Sequence, residues 1–225
     1  MVRHPCRLCA RGNWIVFLPK PTLSAVVRID PPPPRRDARP LFHELGTGSR
    51  LLRIYQSERF GQTATSFRRN GPLSRFDHNR VGVDCGILYA GFTLSCCLVE
   101  CFGDSGVIDD QGRRLAFLQT TQPLLLLQLR GRGAMRAGSV AALASTADRR
   151  LSQDWSRHFH ATYPQIDGLL YSSAHNEEAA VALYERAEHG LQCEMELPLD
   201  HKSLRSRILK IASDHAMEAP PVYQR

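Results

Sequence analysis

The sequence predicts an α+β protein. Short β-prone apolar runs such as LLRIY and LLLL are bounded by turn residues. Amphipathic stretches such as RRLSQDWSRHFHATY repeat at helical spacing. The two kinds interleave without the regular βαβ alternation of a doubly wound sheet. In chain order, Leu51–Tyr55 is a strand that follows Gly48–Ser49, and Gly86–Ala90 is a second strand. Thr93–Phe102 is a helix, opened by an N-cap type residue and carrying Leu94, Cys97, Leu98 and Cys101 at helical spacing. Leu124–Leu129 is a buried strand candidate, although a run of four leucines also fits a helix, and Gly138–Ala144 and Arg149–Tyr163 read as helices. The second of these helices has Leu151, Trp155 and Phe159 on one face. Ile166–Tyr171 is a strand, Glu177–Glu188 has helical propensity although Val181, Leu183 and Tyr184 do not settle its period, and Lys202–His215 is an amphipathic helix.

The core domain is expected from residue 41 to residue 216. Residues 1–40 read as a weakly structured basic arm, with strand candidates at Trp14–Leu18 and Ala25–Ile29 and a stiff spacer at Pro31–Pro34. Residues 217–225 read as a tail. The net charge of +7 is uneven: residues 1–80 hold 15 basic and 5 acidic side chains, residues 81–225 hold 14 and 17. A basic arm attracts phosphates, but no recognition-helix pattern accompanies it, so direct nucleic-acid recognition is not expected. Gly86–Phe102 is interrupted by Thr93, Ser95 and Glu100 and makes a poor membrane span. Seven cysteines without framework spacing point to a reduced, cytoplasmic protein.

Several motifs fail on inspection. Cys6-x-x-Cys9 is half of a zinc site without the other half. Gly103-Asp104-Ser105-Gly106 matches a fragment of a serine-protease motif but reads as a turn, since no triad order accompanies it. Neither a dinucleotide-binding G-x-G-x-x-G nor a Walker-type G-K-[ST] occurs.

One constellation stands out. Arg53 lies in LLRIY, Arg75 in GPLSRFDHNR, Tyr89 at the end of GILYA, Glu100 in TLSCCLVECF, and Ser173 after DGLLYS. Glu100 sits among Cys97, Leu98, Val99, Cys101 and Phe102, so its carboxylate is expected to be buried, raised in pKa, or paired with an arginine such as Arg53 or Arg75. A purely structural Glu–Arg pair is an equal reading of these residues alone.

These segments, in this order and with the eleven-residue step from Tyr89 to Glu100 and the late Tyr171-Ser172-Ser173, resemble the RES-domain family over about residues 41–190. The resemblance implies an ADP-ribosyltransferase-like mixed β core with flanking helices. It implies a toxin of a bacterial toxin–antitoxin pair that consumes NAD⁺, by hydrolysis or phosphorolysis, or that transfers ADP-ribose to a protein. It implies NAD⁺ as substrate rather than cofactor, and an Xre-like antitoxin as partner; no metal ligand is assigned among the site residues. Carried over by position, Glu100, Arg53 and Ser173 are the catalytic candidates, and Arg75 and Tyr89 bind substrate. Small members carry a tyrosine directly after the first arginine; here that place is Ile54, and Tyr55 is the substitute candidate. The G-G-R-W-N of small members is replaced by Ser74-Arg75-Phe76-Asp77. A protein ADP-ribosyltransferase using the same pocket, and a non-catalytic module acting through the basic arm, are the alternative functions. Homo-oligomerisation is left open.

Overall fold

The computed structural model describes residues 28–34, 36–57, 61–80 and 85–224. Trp14–Leu18, Cys6 and Cys9 lie outside them, as does Ala25–Ile29 apart from its last two residues, which are not in a strand. The strands are β1 (Phe42–Leu45), β2 (Arg50–Gln56), β3 (Ile87–Gly91), β4 (Arg113–Thr120), β5 (Leu124–Gln128), β6 (Gly168–Ser172), β7 (Ala179–Tyr184) and β8 (Leu191–Pro198). They form one eight-stranded sheet in the order β1-β5-β6-β7-β3-β2-β4-β8. Only β5 and β6 pair in parallel; the other neighbours are antiparallel. The helices are α1 (Leu94–Phe102), α2 (Gly133–Arg136), α3 (Arg149–Thr162) and α4 (Arg205–Asp214). The architecture is the expected α+β, a mixed sheet with flanking helices.

Alternation along the strands divides the core between the two faces of the sheet. Leu88, Leu170, Val181 and Leu183 join Leu51 and Leu118 in one cluster. Ile87, Leu169, Ala180, Ala182 and Tyr184 face the other way and meet Trp155 and Phe159 of α3. A third cluster packs Leu98 and Phe102 of α1 against Ile208 and Ala212 of α4. Among the described residues no helix is long and apolar enough to cross a membrane.

Four expectations need correction. Glu177–Glu188 is not a helix: it is β7 followed by a 3-10 turn over Glu185–Gly190. Its alanines favour a helix locally, but β7 lies between β6 and β3 with Ala180–Tyr184 buried, and burial on both faces overrides propensity. Gly138–Ala144 is not a continuous helix either. Gly138 takes φ +88, and a Cβ there would meet Pro34 at 2.3 Å, so the chain turns before a short 3-10 segment at Ala141–Ala144.

The same contact corrects the arm, whose last part is docked rather than loose. The Trp155 indole N–H donates to the Asp30 carbonyl (2.8 Å), and Arg39 and Arg136 exchange two hydrogen bonds. The expected tail is likewise anchored, with Ala219 and Tyr223 buried. Glu218 bridges to Val107, and buried Tyr223 donates from its hydroxyl to the Leu199 carbonyl.

Candidate active site

The site begins with a fault in the sheet. β2 pairs with β4 along its whole length, from Arg50↔Gln119 to Gln56↔Arg113, but pairs with β3 only at Leu52↔Gly91. Beyond that point the two strands part, and a cavity of about 300 Å³ opens between them. Its walls include Arg53 and Ile54 of β2, Tyr89 and Ala90 of β3, and Glu100 and Cys101 of α1. Arg75, Asp104, Arg149, Tyr171 and His175 close the remaining sides.

Helix α1 is set over the split by its own sequence. The Thr93 hydroxyl caps it, accepting from the Cys96 amide at 3.0 Å. Cys96 and Cys97 are buried and turn their thiols to the carbonyls of Ala179 (3.4 Å) and Leu52 (3.1 Å). They are small packing residues, and burial pushes both thiols well above their usual pKa. With Cys96–Val99 and Phe102 facing inward, Glu100 falls on the remaining face.

Glu100 is therefore exposed at the cavity, which corrects the expectation of a buried carboxylate. Its apolar sequence neighbours lie on other faces of the helix. Among the described residues it makes no ion pair with Arg53 or Arg75. Its contact is the Tyr171 hydroxyl, which donates to Oε2 over a long 3.4 Å. Burial, then the Glu100 charge, hold that phenol far above its ordinary pKa, so it remains a donor.

The arginines differ in freedom. Arg53 is 7% exposed, and its Nη1 donates to the carbonyls of Thr63 (3.4 Å), Ala64 (2.9 Å) and Ser66 (2.8 Å). Burial draws its pKa down to about 10, so it stays cationic at neutral pH. Arg75 is half-buried and hooks one nitrogen onto the Thr146 carbonyl. The Tyr89 hydroxyl is committed, donating to Asp77 and accepting from the Phe76 amide, both at 2.9 Å. What Tyr89 offers the cavity is its ring.

Two candidates are placed elsewhere. Tyr55 does not line the cavity. It is buried, and its hydroxyl donates to Glu196 at 2.6 Å, while Arg53 lies 5.5 Å over its ring. Ser173 is buried beside the wall rather than in it; its hydroxyl accepts from the His175 amide (3.3 Å) and so sets the loop that carries His175 into the cavity.

Among the residues not singled out from the sequence, Asp77 has the most contacts around the site. It is fully buried, pairs with Arg68 at 2.7 Å through both oxygens, and accepts from the amides of Leu73 and Ser74 and from Tyr89. It thereby ties the Arg75 loop to β3. The signal was the loop composition of GPLSRFD, in which an aspartate that collects local amides is expected.

Next along the chain, His78, His160 and Glu185 have ligand atoms within 4.8 Å of one another, a spacing that would suit a metal. The arrangement fits protons better. Both Nε2 atoms already bond to Glu185, at 2.9 and 2.8 Å, and a metal on His78 Nε2 would force a proton onto Nδ1, which is buried without a partner among the described residues. Burial alone would raise Glu185, but the bonds from His160 and His78 outweigh it and leave its pKa well below the carboxylate range. Burial lowers His78, despite the opposing bond to Glu185.

Both shifts make the folded state bind fewer protons than the unfolded one, so stability rises with pH. The melting temperature is expected to fall as pH drops below about 6.5, where unfolded His78 takes up a proton, and again below about 4.5, where unfolded Glu185 does. Thermal melts from about pH 7 to about pH 4 on wild type and Glu185→Gln check this, the variant losing the lower limb.

A family model for the RES domain matches residues 50–204. The chain belongs to the RES domain family. The matched span of this RES domain holds every candidate site residue from Arg53 to Ser173. A curated relative, named "Probable toxin y4kH", from Sinorhizobium fredii, is 32% identical over 113 residues, which are 50% of this chain and 87% of that protein. Among solved structures, the M. tuberculosis MbcT-MbcA toxin-antitoxin complex contains a similar chain, with 13% identity, 68% of this chain and 85% of that chain covered, and a TM-score of 0.49.

Proposed function

We propose that this RES domain cleaves the nicotinamide–ribose bond of NAD⁺ and acts as the toxin of a toxin–antitoxin pair. The observation that carries the reading is the carboxylate of Glu100, exposed at a cavity whose other walls present three arginines and a tyrosine ring. Breaking the bond builds positive charge on the ribose, as in glycoside cleavage. A fixed carboxylate stabilises that charge, and Tyr171 restrains its orientation. Nicotinamide leaves neutral, so no strong acid is required. The Tyr89 ring supplies a stacking face for it. Arg53 contributes fixed positive charge, and Arg75 has nitrogens left to meet phosphate oxygens. Ser173 acts through the His175 loop.

With water as acceptor the products are nicotinamide, ADP-ribose and a proton; with phosphate, the ADP-ribose is phosphorylated at the anomeric carbon. The name of the Sinorhizobium relative supports a toxin, and the family resemblance supports an Xre-like antitoxin as the protein that covers the site. Incubating purified protein with NAD⁺, with and without phosphate, is expected to release nicotinamide. Radiolabel from the adenylate half should remain on small molecules. Label retained on protein would instead favour ADP-ribosyl transfer, and no release under any acceptor would contradict the catalytic reading.

A further inference from the structure

The three arginines of the cavity are not equally available to a ligand. Arg53 has spent Nη1 on three carbonyls and is buried. Arg75 is tethered to the Thr146 carbonyl. Arg149, the first residue of α3, has a side chain 53% exposed, and its Nη2 meets Asp104 at 3.0 Å. Asp104 is itself 75% exposed, so this ion pair is highly solvated and contributes little to stability.

Asp104 is in an unfavourable place. It lies just past the C-terminal end of α1, near the negative pole of the helix, where a carboxylate is not stabilised. It is held there from outside the helix. Arg149 takes Oδ2, and His175 Nε2 stands 3.6 Å from Oδ1. Gly103 makes room for that histidine, since a Cβ at this position would meet the ring at 2.6 Å. Arg149 also reaches the Leu73 carbonyl over 3.5 Å, in the loop that carries Arg75. An anionic side chain, an arginine fork and the Arg75 loop thus meet at one rim of the cavity.

We propose that Arg149 is the diphosphate clamp of this site, occupied in the free protein by Asp104 and handed to the phosphates of a dinucleotide when it binds. This rests on the NAD⁺ reading above and adds to it the residue that sets preference for a diphosphate. The exchange replaces one weak, solvated carboxylate contact with a doubly charged partner that matches the guanidinium fork. Asp104 works against phosphate ligands while it stays in place, so it sets a threshold that only a ligand with strong phosphate contacts passes.

The test is calorimetric binding of ADP-ribose, which has the diphosphate but no nicotinamide and needs no turnover. Arg149→Ala is expected to weaken binding about 10- to 100-fold, and Arg149→Lys to recover only part of it for want of the fork. Asp104→Asn is expected to tighten binding about threefold or more. Nicotinamide riboside, which has no phosphate, should bind all four proteins alike. Arg149→Ala within about twofold of wild type, weaker binding by Asp104→Asn, an equal loss of nicotinamide riboside, or no ADP-ribose binding by wild type would each overturn the clamp. Intact ADP-ribose binding without nicotinamide release would sink the catalytic reading alone. Release that persists while ADP-ribose binding ignores Arg149 would sink the clamp alone.

Discussion

Asp77→Ala is expected to lower stability by about 3–5 kcal/mol, the largest single loss in the site region. The substitution leaves the Arg68 guanidinium, only 15% exposed, without its carboxylate. It also strips the acceptor from two backbone amides and from the Tyr89 hydroxyl. Each of those groups is then desolvated without a partner, which costs more than the bonds themselves contributed. Because the same carboxylate holds the Arg75 loop against β3, activity should fall together with stability. Denaturant midpoints at constant slope read the first effect. Asp77→Asn, which keeps an acceptor oxygen but loses the charge, should fall between wild type and alanine. A change within about 0.5 kcal/mol for Asp77→Ala would mean that the loop is held by other contacts.

Glu100→Gln is expected to do the opposite. The side chain is exposed, so stability should change by no more than about 0.5 kcal/mol. The amide keeps an oxygen for Tyr171 but carries no charge, so in the proposed reaction the ribose charge of the transition state would go unanswered. Nicotinamide release should fall about 10²- to 10³-fold, in the rate constant more than in KM. The contrast separates a residue that holds the pocket together from one that works in it.

The chain's pattern showed most of the elements around the site, because those elements carry strong local signals. Thr93 and the helical spacing of Leu94, Cys97, Leu98 and Cys101 mark α1, and Leu151, Trp155 and Phe159 mark α3. Strands β4 and β8 went unread because their solvent-facing positions are charged, with Arg113, Arg114, Glu194 and Glu196 diluting the apolar alternation. Strand β7 is not settled by its own sequence because AAVALY is apolar throughout, and only its place between two strands decides its conformation.

At the site, the family resemblance singles out Arg53, Arg75, Tyr89 and Glu100, and these four line one cavity. Side-chain direction was not legible. Tyr55 shares a face of β2 with Arg53, yet its hydroxyl goes to Glu196 on β8. Glu100 looked buried from its neighbours, but the 100° step of the helix turned it outward. Asp104 and Arg149 lie 45 residues apart, and only the fold brings them together.

The most direct measurement is nicotinamide release from NAD⁺ by wild type and Glu100→Gln, purified side by side and matched in melting temperature. If Glu100 answers the ribose charge, wild type releases nicotinamide and the variant loses about 10²-fold or more of that rate. Equal release by both proteins, or none by a folded, antitoxin-free wild type with water or phosphate as acceptor, would contradict it.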